Sequence, residues 1–190
     1  LPPATPTPAV PVIAHLSAGE EITITWIHML DASNGWGIGG LDRASDHIFA
    51  TADGGHTWRD MTPPEPAPAE GILAALGTFT DAQAGWVIYR SQDEMANPAR
   101  SVVWRTQDGG QTWLSSEPLD IEGLNEFYWP SDLVFTDRLH GWLLVHVGAG
   151  MSHDYVALYR TTDGGQTWER LLDPYGDSGI QSCQKTGIAF

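Results

Sequence analysis

The chain has 190 residues, of which 42% are hydrophobic and 10% aromatic, enough to build the core of one domain. Lys and Arg total 9 against 24 Asp and Glu, so the formal net charge of −15 repels phosphate backbones and excludes nucleic acid as an expected partner. No apolar run approaches the ~20 residues of a membrane helix, and the single cysteine, Cys183, excludes an internal disulfide and a multi-cysteine metal site.

A proline-rich stretch opens the chain. Residues 1–12 read LPPATPTPAVPV and contain five prolines, a composition typical of an extended linker. We therefore interpret residues 1–18 as a Pro/Thr-rich linker. Because such linkers commonly join a membrane anchor to an exported domain, we expect an extracytoplasmic location: secreted, periplasmic or lipid-anchored at the cell surface.

Two phrases recur along the rest of the chain. The first, here called the Asp turn, precedes a Gly-Trp pair and reads MLDASNGWGIG, FTDAQAGWVIY and FTDRLHGWLLV, with its aspartates at Asp31, Asp81 and Asp137. The second, here called the box, reads TADGGHTW, TQDGGQTW and TTDGGQTW. Successive boxes lie 55 residues apart. A fixed period of this kind indicates a repeat architecture.

Short runs rich in β-branched and aromatic residues lie between the two phrases and are typical of strands. Examples are ITITWI (22–27), HIFAT (47–51), SVVWRT (101–106) and YVALYRT (155–161). Each unit then contains four strands: one before and one after the Asp turn, and one before and one after the box. Because four antiparallel strands make a propeller blade, the sequence predicts an all-β partial β-propeller of about three blades plus the start of a fourth.

The period also sets the predicted boundaries. Blade 1 is expected at 19–66, blade 2 at 67–120 and blade 3 at 121–176. Residues 177–190 include GIAF, which aligns with DLVF at the start of the third unit, and are interpreted as the first strand of a fourth blade. Since propellers close with about four to eight blades, we expect the ring to be completed by further blades of a longer polypeptide or by self-association.

The box is predicted to be a structural turn with a tryptophan anchor. Its glycines permit a tight reversal, its aspartate accepts backbone N–H bonds, and its threonine hydroxyls close the turn. The predicted structural residues are the Thr, Asp, second Gly and Trp of each box: Thr51, Asp53, Gly55, Trp58, Thr106, Asp108, Gly110, Trp113, Thr161, Asp163, Gly165 and Trp168. Three identical settings would require three equivalent active sites, so we assign no catalytic residue.

These boxes resemble the Asp-box, or bacterial neuraminidase repeat, with the pattern Ser/Thr-x-Asp-x-Gly-x-x-Trp. Together with the Asp turns, residues 21–190 most closely resemble the photosystem II assembly and stability factor family and its bacterial relatives, within the superfamily of sialidases, sortilin ectodomains and xyloglucanases. The resemblance implies a propeller with the box as a structural turn at the blade rim. The chain departs from the sialidases in lacking an Arg-Ile-Pro phrase and from the photosystem relatives in its acidity.

The loops opposite both turns are the candidate binding surface, because recognition usually resides on loops held by a rigid scaffold. Their acidic and aromatic residues form the candidate binding face: Asp93, Glu94, Asp120, Glu122, Glu126, Phe127, Tyr128, Trp129, His153 and Asp154. Such a face suits a sugar or a basic partner. In the alternative interpretation, the acidic loops serve solubility and the aromatic residues pin a long crossover to the blade.

We therefore predict a non-catalytic exported scaffold that binds a protein or another ligand through its loop face, similar to photosystem II assembly factors. The alternative is a sialidase- or xyloglucanase-like glycoside hydrolase with an incomplete catalytic site in this chain. We expect no cofactor. His146, His153 and Asp154 offer metal-ligand chemistry, but no spacing fixes further ligands, so no metal site is predicted. Arg105 and Arg160, which precede two boxes, are interpreted as solvated or inter-blade charges.

Overall fold

The structure is a computed structural model that describes residues 11–68, 71–91, 101–124, 127–150 and 154–172, together with Gly187. The described chain forms three four-stranded antiparallel sheets, each from four consecutive strands. The predicted all-β class is thereby confirmed. Within these residues, no helix has the length and apolar character needed to cross a membrane.

The strands of each sheet follow chain order. Blade 1 contains β1 (Thr23–Met29), β2 (Gly35–Gly40), β3 (His47–Thr51) and β4 (Arg59–Asp60), with a short 3-10 turn at Leu41–Arg43. Blade 2 contains β5 (Leu73–Phe79), β6 (Gly85–Ser91), β7 (Val103–Thr106) and β8 (Leu114–Ser115). Blade 3 contains β9 (Trp129–Phe135), β10 (Gly141–Ala149), β11 (Asp154–Thr161) and β12 (Glu169–Leu172). The strand expected at 177–190 lies outside the described residues except for Gly187.

The glycine before each repeated tryptophan makes room for an aromatic or thioether side chain. Gly141 pairs with Phe135 on the neighbouring strand, and a Cβ on Gly141 would lie 2.6 Å from the Phe135 ring. In blade 1, a Cβ on Gly35 would lie 2.5 Å from the Met29 sulfur. Real Cβ atoms do not approach other atoms so closely, so only glycine fits beneath these side chains. This packing explains why Phe or Met opens each Asp-turn phrase.

The apolar cores lie between the blades. Trp36 of blade 1 is 1% exposed and stacks on Phe79 of blade 2, with ring centroids 4.5 Å apart. Trp86 of blade 2 is 2% exposed and stacks on Phe135 of blade 3 at 3.7 Å. Both indoles also donate across the interface, Trp36 Nε1 to the carbonyl of Asp81 at 3.1 Å and Trp86 Nε1 to that of Gly164 at 2.9 Å. Packing and hydrogen bonding therefore join each blade to the next.

The box tryptophans are less buried than the sequence predicted. Trp58, Trp113 and Trp168 are all half-buried, whereas Trp36 and Trp86 are fully buried. The box lies at the blade rim, where one side of the indole remains open to solvent. Each box tryptophan still packs: Trp113 Nε1 donates to the carbonyl of Met61 at 2.7 Å, and Trp168 meets Phe135 edge-on. The main anchors of the two described interfaces are therefore Trp36 and Trp86, whereas Trp142, which follows the third Asp turn, is half-buried.

The end of the predicted linker packs against blade 1. Ile13 is 8% exposed, and its N–H donates to the carbonyl of Glu65 at 2.9 Å. The N–H of Leu16 donates to Asp60 Oδ2 at 2.8 Å. Composition alone indicated an extended segment, but its apolar residues and backbone groups find partners on the blade. The role of residues 1–18 as a linker stays a prediction.

Candidate binding groove

Both repeated turns of every blade meet at one end of the molecule, here called the turn end. In each blade, the N–H of the first box glycine donates to a carbonyl in the Asp turn: Gly54 to Ser33 at 2.8 Å, Gly109 to Gln83 at 2.9 Å and Gly164 to Leu139 at 2.9 Å. The opposite end, here called the loop end, carries the connections that follow the second strand of each blade and join successive blades. This placement agrees with the expectation from strand order.

The boxes share one hydrogen-bond pattern. Asp53 accepts the Thr51 hydroxyl at 2.9 Å and the Thr57 N–H at 2.9 Å through Oδ1, and the Thr57 hydroxyl at 2.6 Å through Oδ2. The same contacts recur at Asp108 and Asp163 within 0.1 Å. The first threonine hydroxyl also accepts the N–H of the second glycine at 2.9 Å in all three boxes. Both carboxylate oxygens are thus used within the turn.

Hydrogen bonds hold the carboxylates of both kinds of turn, the box and the Asp turn, in the ionised form. Hydrogen bonds from Thr57 and Thr51 lower the pKa of Asp53 to about 2, and those from the Leu139 and His140 amides and the His140 ring lower the pKa of Asp137 to about 2. A general acid needs a pKa near the operating pH. The geometry therefore suits a structural turn and not proton transfer at neutral pH.

We expect the stability of the chain to fall in acid as these aspartates are protonated. Because their folded pKa values are depressed, the stabilisation is complete above the unfolded value of about 3.9 and is lost as the pH falls through about 2. Urea unfolding from about pH 6 to about pH 2 measures this loss. Asp53→Asn should be less stable than the parent chain at neutral pH and approach it in acid, whereas the exposed Leu114→Ala should run parallel to the parent. A constant gap for Asp53→Asn contradicts the explanation.

A cavity of about 680 Å³ lies at the turn end beside blade 1. Residues 15–20 form one wall, Phe49 and Trp58 lie on the blade side, and the box residue Asp108 of blade 2 contributes to the rim. Its buried carboxylate, Asp60, already accepts the Leu16 N–H and the Thr62 N–H and hydroxyl. Its box aspartates, Asp53 and Asp108, are also engaged in their turns, so the carboxylates named at this cavity are already used within the chain.

The candidate binding face is only partly described. Asp93, Glu94, Glu126 and His153 lie outside the described residues. The assignment of Tyr128 to this face is wrong, because Tyr128 is 4% exposed and its hydroxyl donates to Ser101 Oγ at 2.7 Å. Tyr128 belongs to the core between blades 2 and 3.

Two of the described acidic residues of the face, Asp120 and Asp154, lie close to basic side chains. Asp120 lies 3.2 Å from a guanidinium nitrogen of Arg170, which also donates to the carbonyl of Glu122 at 2.8 Å. Asp154 lies 3.0 Å from His146 Nδ1 across the β10–β11 hairpin. The Glu122 side chain is exposed. The contacts of Asp120 and Asp154 fix a crossover and a hairpin, a role that neither interpretation of the face predicted for its acidic residues.

The structure shows no hydrogen bond or ion pair between blades for the two arginines that precede boxes, Arg105 and Arg160, among the described residues. Arg160 pairs with Glu169 at 2.9 Å, and both residues belong to blade 3. Arg105 lies half-buried on β7, and its Nε is buried with no hydrogen-bond partner. The inter-blade pairing considered for Arg160 is therefore replaced by a contact within the blade.

Trp129 is the predicted face residue that lines an open cavity. A groove of about 450 Å³ lies at the loop end among β1, β5 and β9, the first strands of the three blades; we call it the axial groove. Trp26, Arg90 and Trp129 are its large side chains, and Ala74, Ala75 and Gly77 of β5 are its small ones. Trp26 is 39% exposed and Trp129 is half-buried. The groove thus offers aromatic surface beside a strand that another chain can approach closely.

The Arg90 side chain is fixed within the axial groove. Its guanidinium carbon lies 3.9 Å from the centre of the Trp129 ring, a cation–π contact, and Nη1 donates to the carbonyl of Pro130 at 2.7 Å. Burial lowers the pKa of Arg90, although the guanidinium remains charged at any physiological pH. These contacts hold a positive charge and an indole in one fixed arrangement.

Sequence reasoning missed Trp26 and Arg90 as groove residues, yet it contained a signal. Six of the nine tryptophans occupy the two repeated positions, and the other three are Trp26, Trp104 and Trp129. Two of those three line the axial groove. Tryptophans outside the repeated positions therefore indicate the groove better than the acidic residues of the loops do.

The described lining of the axial groove consists of aromatic, aliphatic, hydroxyl-bearing and basic residues and glycine. None of its described lining residues is Asp or Glu, whereas glycoside hydrolysis ordinarily uses a pair of carboxyl groups. Across the described ranges, no group of three or more His, Cys, Asp or Glu side chains is placed to hold a metal ion. The arrangement can bind a ligand by aromatic contact and by a fixed positive charge.

Comparisons with known proteins agree with this architecture. No protein-family model matches the chain. Over 155 residues the chain is 24% identical to a xyloglucanase from Paenibacillus sp., a match that covers 79% of this chain and 14% of the xyloglucanase. The structure of this chain is similar to that of YCF48 bound to a D1 peptide, with a TM-score of 0.52 and 22% sequence identity. The match covers 87% of this chain and 46% of the YCF48 chain.

The fold is that of a partial β-propeller. The chain spans less than half of the YCF48 chain and a small part of the xyloglucanase. Within this fold, the axial groove occupies the loop end of the first strands, and the box turns occupy the other end of the blades.

Proposed function

We propose that this chain is part of a non-catalytic β-propeller scaffold that binds an extended polypeptide in the axial groove. The observation that carries the proposal is the presence of two accessible indoles, Trp26 and Trp129, in one groove with a fixed guanidinium. Tryptophan and arginine are the residue types most enriched among binding hot spots. Small residues of β5, Ala74, Ala75 and Gly77, line the same groove.

The similarity to YCF48 supports a polypeptide as the ligand, because that propeller was solved bound to a D1 peptide. The similarity to a xyloglucanase supports the second candidate, a glycoside hydrolase. The described groove lining contains no carboxylate, which favours binding over hydrolysis. We further propose an exported location, supported by the proline-rich composition of residues 1–12.

A random-peptide display library panned against the chain tests the function. We expect enriched peptides whose affinity falls at least about tenfold in the Trp26→Ala and Trp129→Ala variants, because each loses a large aromatic contact. Ile27→Ala is the matched control: Ile27 is 53% exposed, adjoins Trp26 on β1 and does not line the groove. Titration calorimetry with a selected peptide measures all four proteins.

Two outcomes would overturn the proposal. Peptides that bind the parent chain and both tryptophan variants equally would move the site elsewhere. Release of reducing sugar from xyloglucan by the chain would establish the hydrolase instead.

A signal or lipid-attachment sequence encoded upstream of Leu1 is the expected finding for an exported protein, and its absence from the gene would contradict that location.

A further inference from the structure

The N-terminal segment, defined as residues 11–16, is bound along residues 65–67 by two backbone hydrogen bonds. Its Ile13 N–H donates to the carbonyl of Glu65, and its Pro11 carbonyl accepts the N–H of Ala67, both at 2.9 Å. Val12 forms an antiparallel bridge with Pro66. The segment therefore docks as an added strand along the connection that leaves β4.

His47, the first residue of β3, connects this segment to the blade. Its side chain is 7% exposed. Nδ1 lies 2.7 Å from Asp46 Oδ1, and Nε2 lies 3.1 Å from the carbonyl oxygen of Ala14. Both neighbours are hydrogen-bond acceptors, and a neutral imidazole has one N–H to donate whereas an imidazolium has two. Only the protonated ring can satisfy both contacts.

The other groups around the ring also favour a positive charge. Asp60 of β4 lies 4.0 Å from His47 Nε2, and the ring of Phe49 stacks at 6.2 Å. His15 of the segment lies 3.3 Å from the far side of the Asp60 carboxylate. Glu65 and the buried hydroxyl of Tyr89 on β6 lie in the same region, since Glu65, Asp46 and Asp60 all raise the pKa of Tyr89.

We propose that protonated His47 is a latch that holds the N-terminal segment on blade 1 and that loss of its proton releases the segment. The two-acceptor geometry carries the proposal. A neutral ring must abandon either Asp46 or the Ala14 carbonyl, and the contact to Asp46 lies within the blade, so the contact to the segment is the one that is lost.

The titration of His47 agrees in direction. Burial acts to lower the pKa of His47, but the hydrogen bonds to Asp46 and Ala14 and the charges of Asp46 and Asp60 together raise it. Because the docked pKa is raised, the latch is complete below the ordinary histidine pKa of about 6.5 and is lost as the pH rises through the docked value. Docking is therefore tightest in mildly acidic solution.

Hydrogen exchange of the Ile13 and Leu16 amides measures docking, since both donate to blade 1 in the docked state. After correction for intrinsic exchange, we expect their protection factors to fall about tenfold between about pH 5.5 and about pH 8.5. Amides of β6 serve as the internal reference, because the protection factors of a core strand should not change between these two pH values. Equal protection of the segment at both pH values would overturn the proposal.

Substitutions separate His47 from its neighbour. His47→Gln is expected to remove the pH dependence, and Asp46→Asn to reduce it because a neutral partner no longer favours the charged ring. His15→Gln is the matched control: His15 is 60% exposed and contacts the same Asp60, and its loss should leave most of the pH dependence. Persistence of the dependence in His47→Gln, or its disappearance in His15→Gln alone, would assign the effect to another group.

Discussion

Replacing Trp86 by alanine is expected to lower the free energy of unfolding by about 3–5 kcal/mol, the usual cost of truncating a buried tryptophan. Trp86 is 2% exposed, stacks on Phe135 and donates to the carbonyl of Gly164. Its loss removes the contact between blades 2 and 3 on one side of Phe135 and leaves a buried carbonyl without its donor. Both effects act in the same direction.

Urea unfolding followed by fluorescence and circular dichroism measures this change. Trp86→Phe reduces the packing loss, because it keeps a six-membered ring against Phe135 while it removes the N–H donor and the rest of the indole; we expect about 1–3 kcal/mol. Leu114→Ala, at a side chain that is 57% exposed, should stay within about 0.5 kcal/mol of the parent. A Trp86→Ala variant as stable as Leu114→Ala would show that the blades do not depend on this contact.

Gly110→Ala is expected to destabilise the chain by about 2–5 kcal/mol, from backbone strain and overpacking together. Gly110 is the second box glycine of blade 2 and has φ +82°, a conformation that favours glycine. A Cβ there would lie 2.7 Å from the Cβ of Met61, which belongs to blade 1. The box turn can therefore relieve the clash only by moving away from the neighbouring blade.

Gly123→Ala provides a matched comparison. Gly123 has nearly the same backbone conformation, φ +79°, but a Cβ there would meet nothing within 4 Å. We expect a loss of about 1–2 kcal/mol from the backbone term alone. The difference between the two variants, read from urea midpoints, isolates the close approach of the blades. Equal losses would mean that the approach to Met61 costs nothing.

Much of the fold could be predicted because the repeated residues act locally. The hydrogen bonds of Asp53 span only residues 51–57, so the spacing of Thr, Asp and Thr in the box already contains them. The β3 strand begins and ends where the run HIFAT does. A short turn with its own donors and acceptors forms the same structure three times, and sequence can reveal such a feature.

Burial was harder to predict because it depends on neighbours from another blade. Trp113 and Trp86 look equally suited to a core in the sequence, yet only Trp86 is enclosed by both Phe135 and the next box. Tyr128 follows an acidic loop, but its ring enters the inter-blade core and its hydroxyl finds Ser101. Loop composition carries no information on such long-range contacts.

The axial groove was partly predictable. The sequence predicts Trp129 as a binding residue of a long loop, whereas Trp129 is the first residue of β9. Its partner Arg90 is distant in sequence, and their cation–π contact arises because the loop ends of neighbouring blades converge. The N-terminal segment gives a similar lesson: its prolines indicated an extended chain, and the burial of Ile13 depends on a surface formed 50 residues later by Glu65 and its neighbours.

The indole bonds between blades use different residues on the two sides of a blade. At the interface of blades 1 and 2, Trp36 donates forward to the Asp81 carbonyl and Trp113 donates back to the Met61 carbonyl. At the interface of blades 2 and 3, Trp86 donates forward to the Gly164 carbonyl. The two sides of a blade are therefore chemically different. Contacts of this head-to-tail kind add units in one sense of rotation and do not pair two like surfaces. A blade inserted backwards would not place these indoles opposite their acceptors, so the tryptophans contribute to a single order of stacking.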